Sequence, residues 1–304
     1  MAKLRAKLIS NYMKHLEEHS YLLSWGEAAT VLPQVPDGTV NATITSPPYF
    51  RRKDYSADGQ IGKEHTVEAY IKRLREILSE VYRVTASDGS CFLVVGDTYH
   101  DRSLLLVPQR LALCALELGW TIRNNIIWSK LDPPPDSARN RWRESHESIF
   151  FLTKRRSGYK FRVDRIRVPY SKTTLRRWGK GQAYGGPKAT RIAGPKGQRV
   201  KRGKKFALNP LGGLPKDVIC TPTASTHHRH YASFPESLVE QFLLATTDEK
   251  DIVLDPFTGT STTGIVAIRN GRYFWGIDVN QEYIKISEHR LRDARPNNSE
   301  STLR

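Results

Sequence analysis

Asp251-Ile252-Val253-Leu254-Asp255-Pro256-Phe257-Thr258-Gly259-Thr260-Ser261-Thr262-Thr263-Gly264 reads as a strand, a glycine-containing turn and the start of a helix. A second apolar run follows at Tyr273-Phe274-Trp275-Gly276-Ile277 and ends in Asp278. This is a βαβ unit with an acid after its second strand, the arrangement that holds a nucleoside through its ribose hydroxyls. Two commoner loops are excluded. The dinucleotide fingerprint needs G-x-G-x-x-G, but position 261 is serine, with glycine only at 259 and 264. The P-loop needs Lys and Ser/Thr after its last glycine, and here Ile265-Val266 follow Gly264. With no lysine for a phosphate, the expected ligand is adenosine without a polyphosphate.

Upstream, Val40-Asn41-Ala42-Thr43-Ile44 reads as a buried strand that runs into Thr45-Ser46-Pro47-Pro48-Tyr49. Neither proline donates a backbone N–H and both fix φ, so the turn is stiff. Ser46 and the turn carbonyls present acceptors at a strand's carboxyl end, where open α/β sheets bind ligands. Tyr49 adds a flat aromatic face. Acceptors beside a stacking surface suit a planar ring carrying an amino group. A bare Pro-Pro-Tyr also fits a surface turn, so the reading needs its context.

Together, Thr45-Ser46-Pro47-Pro48-Tyr49 and Asp255–Gly264 resemble the amino-methylating DNA methyltransferases that use S-adenosyl-L-methionine. The order, catalytic motif before cofactor motif, is similar to their circularly permuted β group. TSPPY in place of Asp- or Asn-Pro-Pro-Tyr is similar to the N4-cytosine members. The likeness covers residues 21–153 and 226–293, including Trp128-Ser129-Lys130, Pro133-Pro134-Pro135 and the stretch from Arg141 to Lys154. It implies an α/β, Rossmann-like, doubly wound and mostly parallel sheet with an antiparallel hairpin, circularly permuted and carrying a basic target-recognition insert. The implied division is an arm at 1–20, a catalytic half at 21–153, a basic target-recognition region at 154–225, a cofactor half at 226–293 and a tail at 294–304.

The chain of 304 residues holds one large or two small domains. Cys91, Cys114 and Cys220 show neither paired nor metal-ligand spacing. None follows a proline, which argues against methylation at carbon 5 of cytosine, where that family uses a Pro-Cys nucleophile. No apolar run reaches transmembrane length, and the N-terminus lacks a signal-peptide core, so a cytoplasmic protein is expected. The net charge of +17 is uneven: residues 154–205 hold nineteen Lys or Arg against one acid, Asp164. A balanced body carrying one basic segment favours a polyanion, although a solvated charged face has the same composition. Interleaved aromatics such as Tyr159, Phe161, Tyr170 and Trp178 favour nucleic-acid contact.

Tyr21–Trp25 reads as a strand and residues 27–32 as a helix; Glu27 sits where family members place an acid against adenine, or it simply caps the helix. The polar loop Arg51-Arg52-Lys53 fits phosphate contact or ordinary exposure. Helical period spans Val67–Val84 and Leu104–Leu118. Cys91–Val95 is a buried strand whose end places Asp97 beside the same cleft as Ser46, or makes it a cap. Trp120–Trp128 and Ser148–Leu152 read as antiparallel strands. His146 and Thr226-His227-His228-Arg229-His230 lack a tetrahedral ligand set, so no metal is expected. Ser233 is the expected cap of a helix with Pro235 and Glu236 in its first turn.

The chemistry implied is transfer to an exocyclic amino nitrogen whose lone pair is delocalised into its ring. Acceptors at Ser46 Oγ and the Pro47 carbonyl pull that nitrogen toward tetrahedral geometry, with Pro48 stiffening the turn. Tyr49 stacks on a base flipped from the duplex, and Asp97 relays the proton. The resemblance gives the cofactor Glu27, Thr45, Phe234, Asp255, Phe257, Gly259, Thr260, Ser261 and Asp278. It gives DNA Arg51, Arg52 and Lys53, with Arg176, Arg177, Lys201 and Arg202 from the basic segment. The implied partners are double-stranded DNA and, functionally, a cognate restriction endonuclease; the implied state is a monomer or homodimer in a bacterial or archaeal cell. An N6-adenine enzyme, an RNA methyltransferase and a non-catalytic basic DNA-binding protein remain open on residues alone.

Overall fold

A computed structural model describes residues 2–52, 54, 57–133, 135–178, 208–223 and 234–294, with the side chains of 2–10, 177 and 178 left aside. In chain order the elements are α1 (Ala2–His19), β1 (Tyr21–Trp25), α2 (Ala28–Val31), β2 (Val40–Thr45), α3 (Val67–Val84) and β3 (Thr85–Val95). A small hairpin follows, β4 (Tyr99–His100) and β5 (Ser103–Leu104), then α4 (Val107–Glu117), β6 (Thr121–Lys130), β7 (His146–Thr153) and α5 (Lys172–Trp178). The chain closes with β8 (Val218–Thr221), α6 (Glu236–Thr246), β9 (Ile252–Asp255), α7 (Thr262–Arg269), β10 (Tyr273–Asp278) and α8 (Gln281–Ala294).

Eight strands form one sheet in the order β1-β10-β9-β2-β3-β7-β6-β8. The run from β1 to β3 is parallel. β7 runs antiparallel to both β3 and β6. The expected Rossmann-like sheet with an antiparallel hairpin is what forms, and the first strand lies beside the last. Alternation along each strand divides the core into two faces. Cys91, Leu93 and Val95 face Tyr70 and Leu74 of α3 and Leu111 of α4. Phe92 and Val94 face Val239 and Phe242 of α6 and Val266 of α7. Phe92 is sandwiched between Phe151 at 4.7 Å and Phe242 at 4.3 Å, both near-parallel stacks.

The periodicity at 67–84 becomes α3 over that span, capped by Thr66 Oγ1, which accepts from the Ala69 N–H at 3.1 Å. The polar N-terminal arm is docked: Leu16 is fully buried, and the Tyr12 ring lies 4.9 Å from that of Trp275. α6 starts at Glu236, later than expected. Pro235 is its cap residue and makes no side-chain cap bond, while Ser233 lies outside the described residues.

Two compact units emerge, 1–162 with 217–304, and 163–216. Both ends of the expected 154–225 region therefore fall in the first unit. Lys160 Nζ pairs with Asp251 at 2.5 Å and Arg162 with Asp248 at 2.8 Å. At the other end Val218–Thr221 pairs parallel with β6. A four-residue edge strand carries too little apolar pattern to stand out from a basic background. The second unit holds α5 and a bridge between Val168 and Gly213.

Gly264 explains the second glycine of the turn-helix motif. A Cβ there would lie 2.5 Å from the Phe274 ring and 2.8 Å from Leu291. α7 thus sits against β10 and α8 at backbone distance. Gly264→Ala is expected to lower stability by about 2 kcal/mol through overpacking. An unchanged melting temperature would show that α7 can slide away from the sheet.

Candidate active site

The carboxyl ends of β1, β2, β9 and β10 and the end of the β6–β7 hairpin where residues 131–145 join the two strands surround one cavity of about 890 Å³. Its walls include Ser46, Pro47, Pro48 and Tyr49 on one side and Gly259, Thr260 and Asp278 on another.

The corner after β2 is held from outside the strand. The Tyr70 hydroxyl donates to the Pro48 carbonyl at 2.9 Å. The Pro47 carbonyl accepts no backbone or side-chain hydrogen bond among the described residues. The Tyr49 ring lies against Gly96, where a Cβ would come within 2.7 Å of a ring carbon. Ser46 Oγ donates to the Tyr49 hydroxyl at 3.2 Å, and that hydroxyl donates to Glu147 Oε2 at 2.6 Å. Lys130 Nζ donates to the other oxygen, Oε1. Burial first, then the Glu147 charge, pushes the Tyr49 hydroxyl well above the usual tyrosine range, so it keeps its proton.

The opposite end is built on β9 and β10. Gly259 has φ +52°, and no atom lies within 4 Å of where its Cβ would point. Its N–H donates to Asp278 Oδ2 at 2.8 Å, and Asn280 N–H donates to Oδ1 at 2.8 Å. Each carboxylate oxygen keeps a lone pair. Burial raises the Asp278 carboxyl to about 6 against backbone hydrogen bonds from Asn280, Gly259 and Val279, which lower it. Glu27, Phe234, Phe257, Ile61, Val279 and Tyr283 also line this end. Glu27 does not cap its helix by a side-chain bond; it pairs with Arg73 at 3.3 Å.

Thr45 and Ser261 stand behind the wall, whereas Asp255 lines the cavity and is tied to its neighbours. Asp255 is 2% exposed; its Oδ1 accepts from Thr45 Oγ1 at 2.6 Å and Phe257 N–H at 3.1 Å, and its Oδ2 from Thr263 Oγ1 at 3.0 Å. Burial lifts it to about 6. Asp255 and Thr45 stitch the ends of β9 and β2 together. Ser261 is fully buried in a left-handed conformation, φ +59°, with its Oγ 2.9 Å from Thr258 Oγ1. Thr260 does line the cavity, and its Oγ1 accepts from Arg290 at 2.8 Å.

Asp97 is the clearest correction. Its Oδ1 accepts from the N–H of Thr98 at 2.8 Å and of Val107 at 3.0 Å. It thus holds the first N–H of α4, whose N-cap residue is Leu106, and is absent from the residues lining the cavity. The acid that lies there is Glu147, at the start of β7 and 8% exposed. Its signal was a charged residue at the head of the apolar run Ile149–Leu152. Lys130, Asp132 and Trp128 line the same end and were not expected as site residues. Asp132 accepts from the Thr223 N–H at 2.7 Å, the main cause holding its carboxyl below the usual range.

Of the expected phosphate contacts, Arg51 donates to the His65 carbonyl at 2.6 Å and stacks on Phe50. Arg52 donates to the Asp97 carbonyl at 2.8 Å, pairs with Glu144 and lines the cavity. Both are held within the protein. Arg176 is exposed on α5 and Arg177 follows it; Lys53, Lys201 and Arg202 lie outside the described residues. Among the described residues no cluster of His, Cys, Asp and Glu could hold a metal, and residues 227–230 lie outside them.

The family model described as DNA methylase, named for N6 and N4 enzymes, matches residues 40–289. Type II methyltransferase M.Cfr9I of Citrobacter freundii is 30% identical over 305 residues, 91% of this chain and 89% of that protein. DNA adenine methyltransferase YhdJ of Escherichia coli (strain K12) is 28% identical over 88% of this chain and 81% of its own. Among solved structures, the cytosine-N4-specific PvuII DNA methyltransferase superposes with a TM-score of 0.65 at 17% identity, covering 92% of this chain and 89% of that one. A DNA modification methylase of Thermus thermophilus, TTHA0409, solved with S-adenosyl-L-methionine, superposes at 0.60 with 23% identity, covering 91% and 95%. At such identities the likeness to the two structures is one of fold.

Proposed function

The chain belongs to the DNA methylase family, and on that premise we propose that it methylates the exocyclic N4 of cytosine in duplex DNA. S-adenosyl-L-methionine is the methyl donor of this DNA methyltransferase. Its kinship with type II enzymes points to site-specific methylation alongside a restriction endonuclease, in the cytoplasm of a bacterium or archaeon. Among the described residues no helix is long and apolar enough to cross a membrane.

The cavity fits the cofactor. Asp278 keeps one lone pair on each oxygen for two ribose hydroxyls, and Gly259 leaves open space where a side chain would intrude. Phe234, Val279 and Tyr283 offer apolar and aromatic surface for a ring, with Glu27 as an acceptor nearby. When bound, the cofactor supplies a methyl group on a positively charged sulfur.

The observation that carries the choice of base is the neutral hydroxyl at Ser46. An aspartate there would place a charged acceptor directly on the amino group, about twice as strong as a neutral one. Here the acid sits two hydrogen bonds further out, at Glu147, reached through Tyr49. Ser46 Oγ and the Pro47 carbonyl accept the amino hydrogens and turn the nitrogen lone pair out of the ring plane. Tyr49 offers its free ring face to the base. A base enclosed this way has left its stack. Residues 163–216 and their basic flank are the proposed target-recognition region.

The test is nucleoside analysis of DNA from cells expressing the protein. N4-methylcytosine is expected. N6-methyladenine without N4-methylcytosine would overturn the choice of base and leave the methyltransferase standing.

A further inference from the structure

Two hydrogen bonds at the target end run in one direction. Ser46 Oγ–H points to the Tyr49 hydroxyl at 3.2 Å, and the Tyr49 O–H points to Glu147 Oε2 at 2.6 Å. Lys130 Nζ holds Oε1 from the far side and lies 5.1 Å over the Trp128 ring. Ser46 has given its own hydrogen inward, so its lone pairs face the cavity. The chain starts at the acceptor position for the amino group and ends on a carboxylate that is 8% exposed. Among the described residues no other acid continues from Ser46: Asp97 accepts from Thr98 and Val107, and Asp255 from Thr45, Phe257 and Thr263.

We propose that Glu147 is the terminal acceptor of the proton released from the target amino group, delivered through Ser46 and Tyr49. The inference rests on the amino-methyltransferase reading and holds for either base. In the step, the amino nitrogen lone pair forms the N–C bond, and the electron pair of the breaking C–S bond stays on sulfur. The nitrogen then carries one proton too many. That proton passes to Ser46 Oγ as the serine hydrogen moves to the Tyr49 oxygen and the tyrosine hydrogen moves to Glu147 Oε2. Glu147 ends as a carboxylic acid, and Ser46 and Tyr49 end neutral, as they began. The tyrosine is suited to pass a proton on rather than store a charge, because burial and Glu147 disfavour its anion. Lys130 orients Glu147 before the reaction. Glu147 touches Tyr49 and not the reacting atoms, so it is a positioning and relay residue.

The experiment is single-turnover methylation of duplex DNA by the full-length protein, preloaded with saturating S-adenosyl-L-methionine. Glu147→Gln keeps the shape but takes up no proton. The expected result is a rate lower by 10²–10³-fold, the scale of general acid–base catalysis, with cofactor and DNA affinities within about threefold of wild type. Glu147→Asp is expected to recover part of the rate. Added formate, a small carboxylate, is expected to restore turnover to Glu147→Ala. Tyr49→Phe keeps the ring on Gly96 and cuts the chain in its middle, so it tests the relay even where a Glu147 variant fails to fold. Its rate is expected to fall as far as that of Glu147→Gln. Wild-type turnover in Glu147→Gln or Tyr49→Phe would overturn the relay. The methylated base is read in the same digest, so N6-methyladenine there would overturn the N4 reading alone.

Discussion

Asp278→Ala is expected to weaken S-adenosyl-L-methionine binding about a hundredfold while the protein still folds. A carboxylate meeting two ribose hydroxyls makes two charge-assisted hydrogen bonds at about 1.5 kcal/mol each, and about 1.4 kcal/mol is a factor of ten. The variant also releases the Gly259 and Asn280 N–H groups, both at the edge of the cavity, where water can take them up. The same residue sets a pH dependence of two signs. The folded-state value of about 6 lies above that of an unfolded aspartate, roughly 3.9. The stability it contributes is therefore complete below the unfolded value and is lost as pH rises through about 6, a change on the order of 2–3 kcal/mol. Cofactor binding needs the ionised form and runs the other way, weakening as pH falls below about 6. The protein without cofactor should thus melt higher at pH 5 than Asp278→Ala predicts from its own pH trend, yet bind cofactor less well than at pH 7.5. Calorimetry at the two pH values checks both. Equal affinity in variant and wild type would remove Asp278 from the site.

The second large effect concerns salt. If about six phosphates are neutralised, log K against log salt has a slope near −5 on duplex DNA, about −0.9 per contact. Replacing Arg176, Arg177, Lys201 and Arg202 together with alanine should bring that slope to about −2. Not every cation in the basic stretch should behave this way. Lys160 is tied to Asp251, Arg162 to Asp248, and Lys154 to the carbonyls of Arg83 and Thr85. Lys160→Met should lower the melting temperature and leave the salt slope alone. Filter binding across a salt series separates the groups; an unchanged slope in the quadruple variant would take these four residues off the DNA.

The contrast shows what residue order reveals and what it hides. Asp278 was legible because a βαβ unit fixes where its last residue lies relative to the loop after β9. Gly259 and Phe257 follow from the same local geometry. Asp97 met the same strand-end rule and failed it, because the rule places a backbone and not a side chain. Two residues past β3 the chain turns toward α4, and the Asp97 side chain is taken up by the N–H groups of Thr98 and Val107. Glu147 was hidden for the opposite reason: its partner Tyr49 lies 98 residues away, and only the antiparallel turn of β7 brings them together. Ser261 sits in the right loop but is buried within it. Charge counting found the basic stretch but not its folded limits, since Lys160 and Arg162 spend their charge on partners in the sheet unit.

The pairing of β1 with β10 has a consequence for how the protein is made. Trp25 and Val279, joined by an indole N–H to carbonyl bond of 3.0 Å, are 254 residues apart. β2 acquires its neighbour β9 only after residue 252 is synthesised. At 5–20 residues per second the ribosome takes on the order of 10–40 s to cover that interval. For that time a growing chain shows an unpaired parallel edge, the kind of surface that chaperones hold and aggregates recruit. On the proposed reading, a chain broken off before Asp278 contains Thr45-Ser46-Pro47-Pro48-Tyr49 and the basic stretch but lacks the acid proposed for the ribose. Such a fragment is expected to leave no methyl group on DNA.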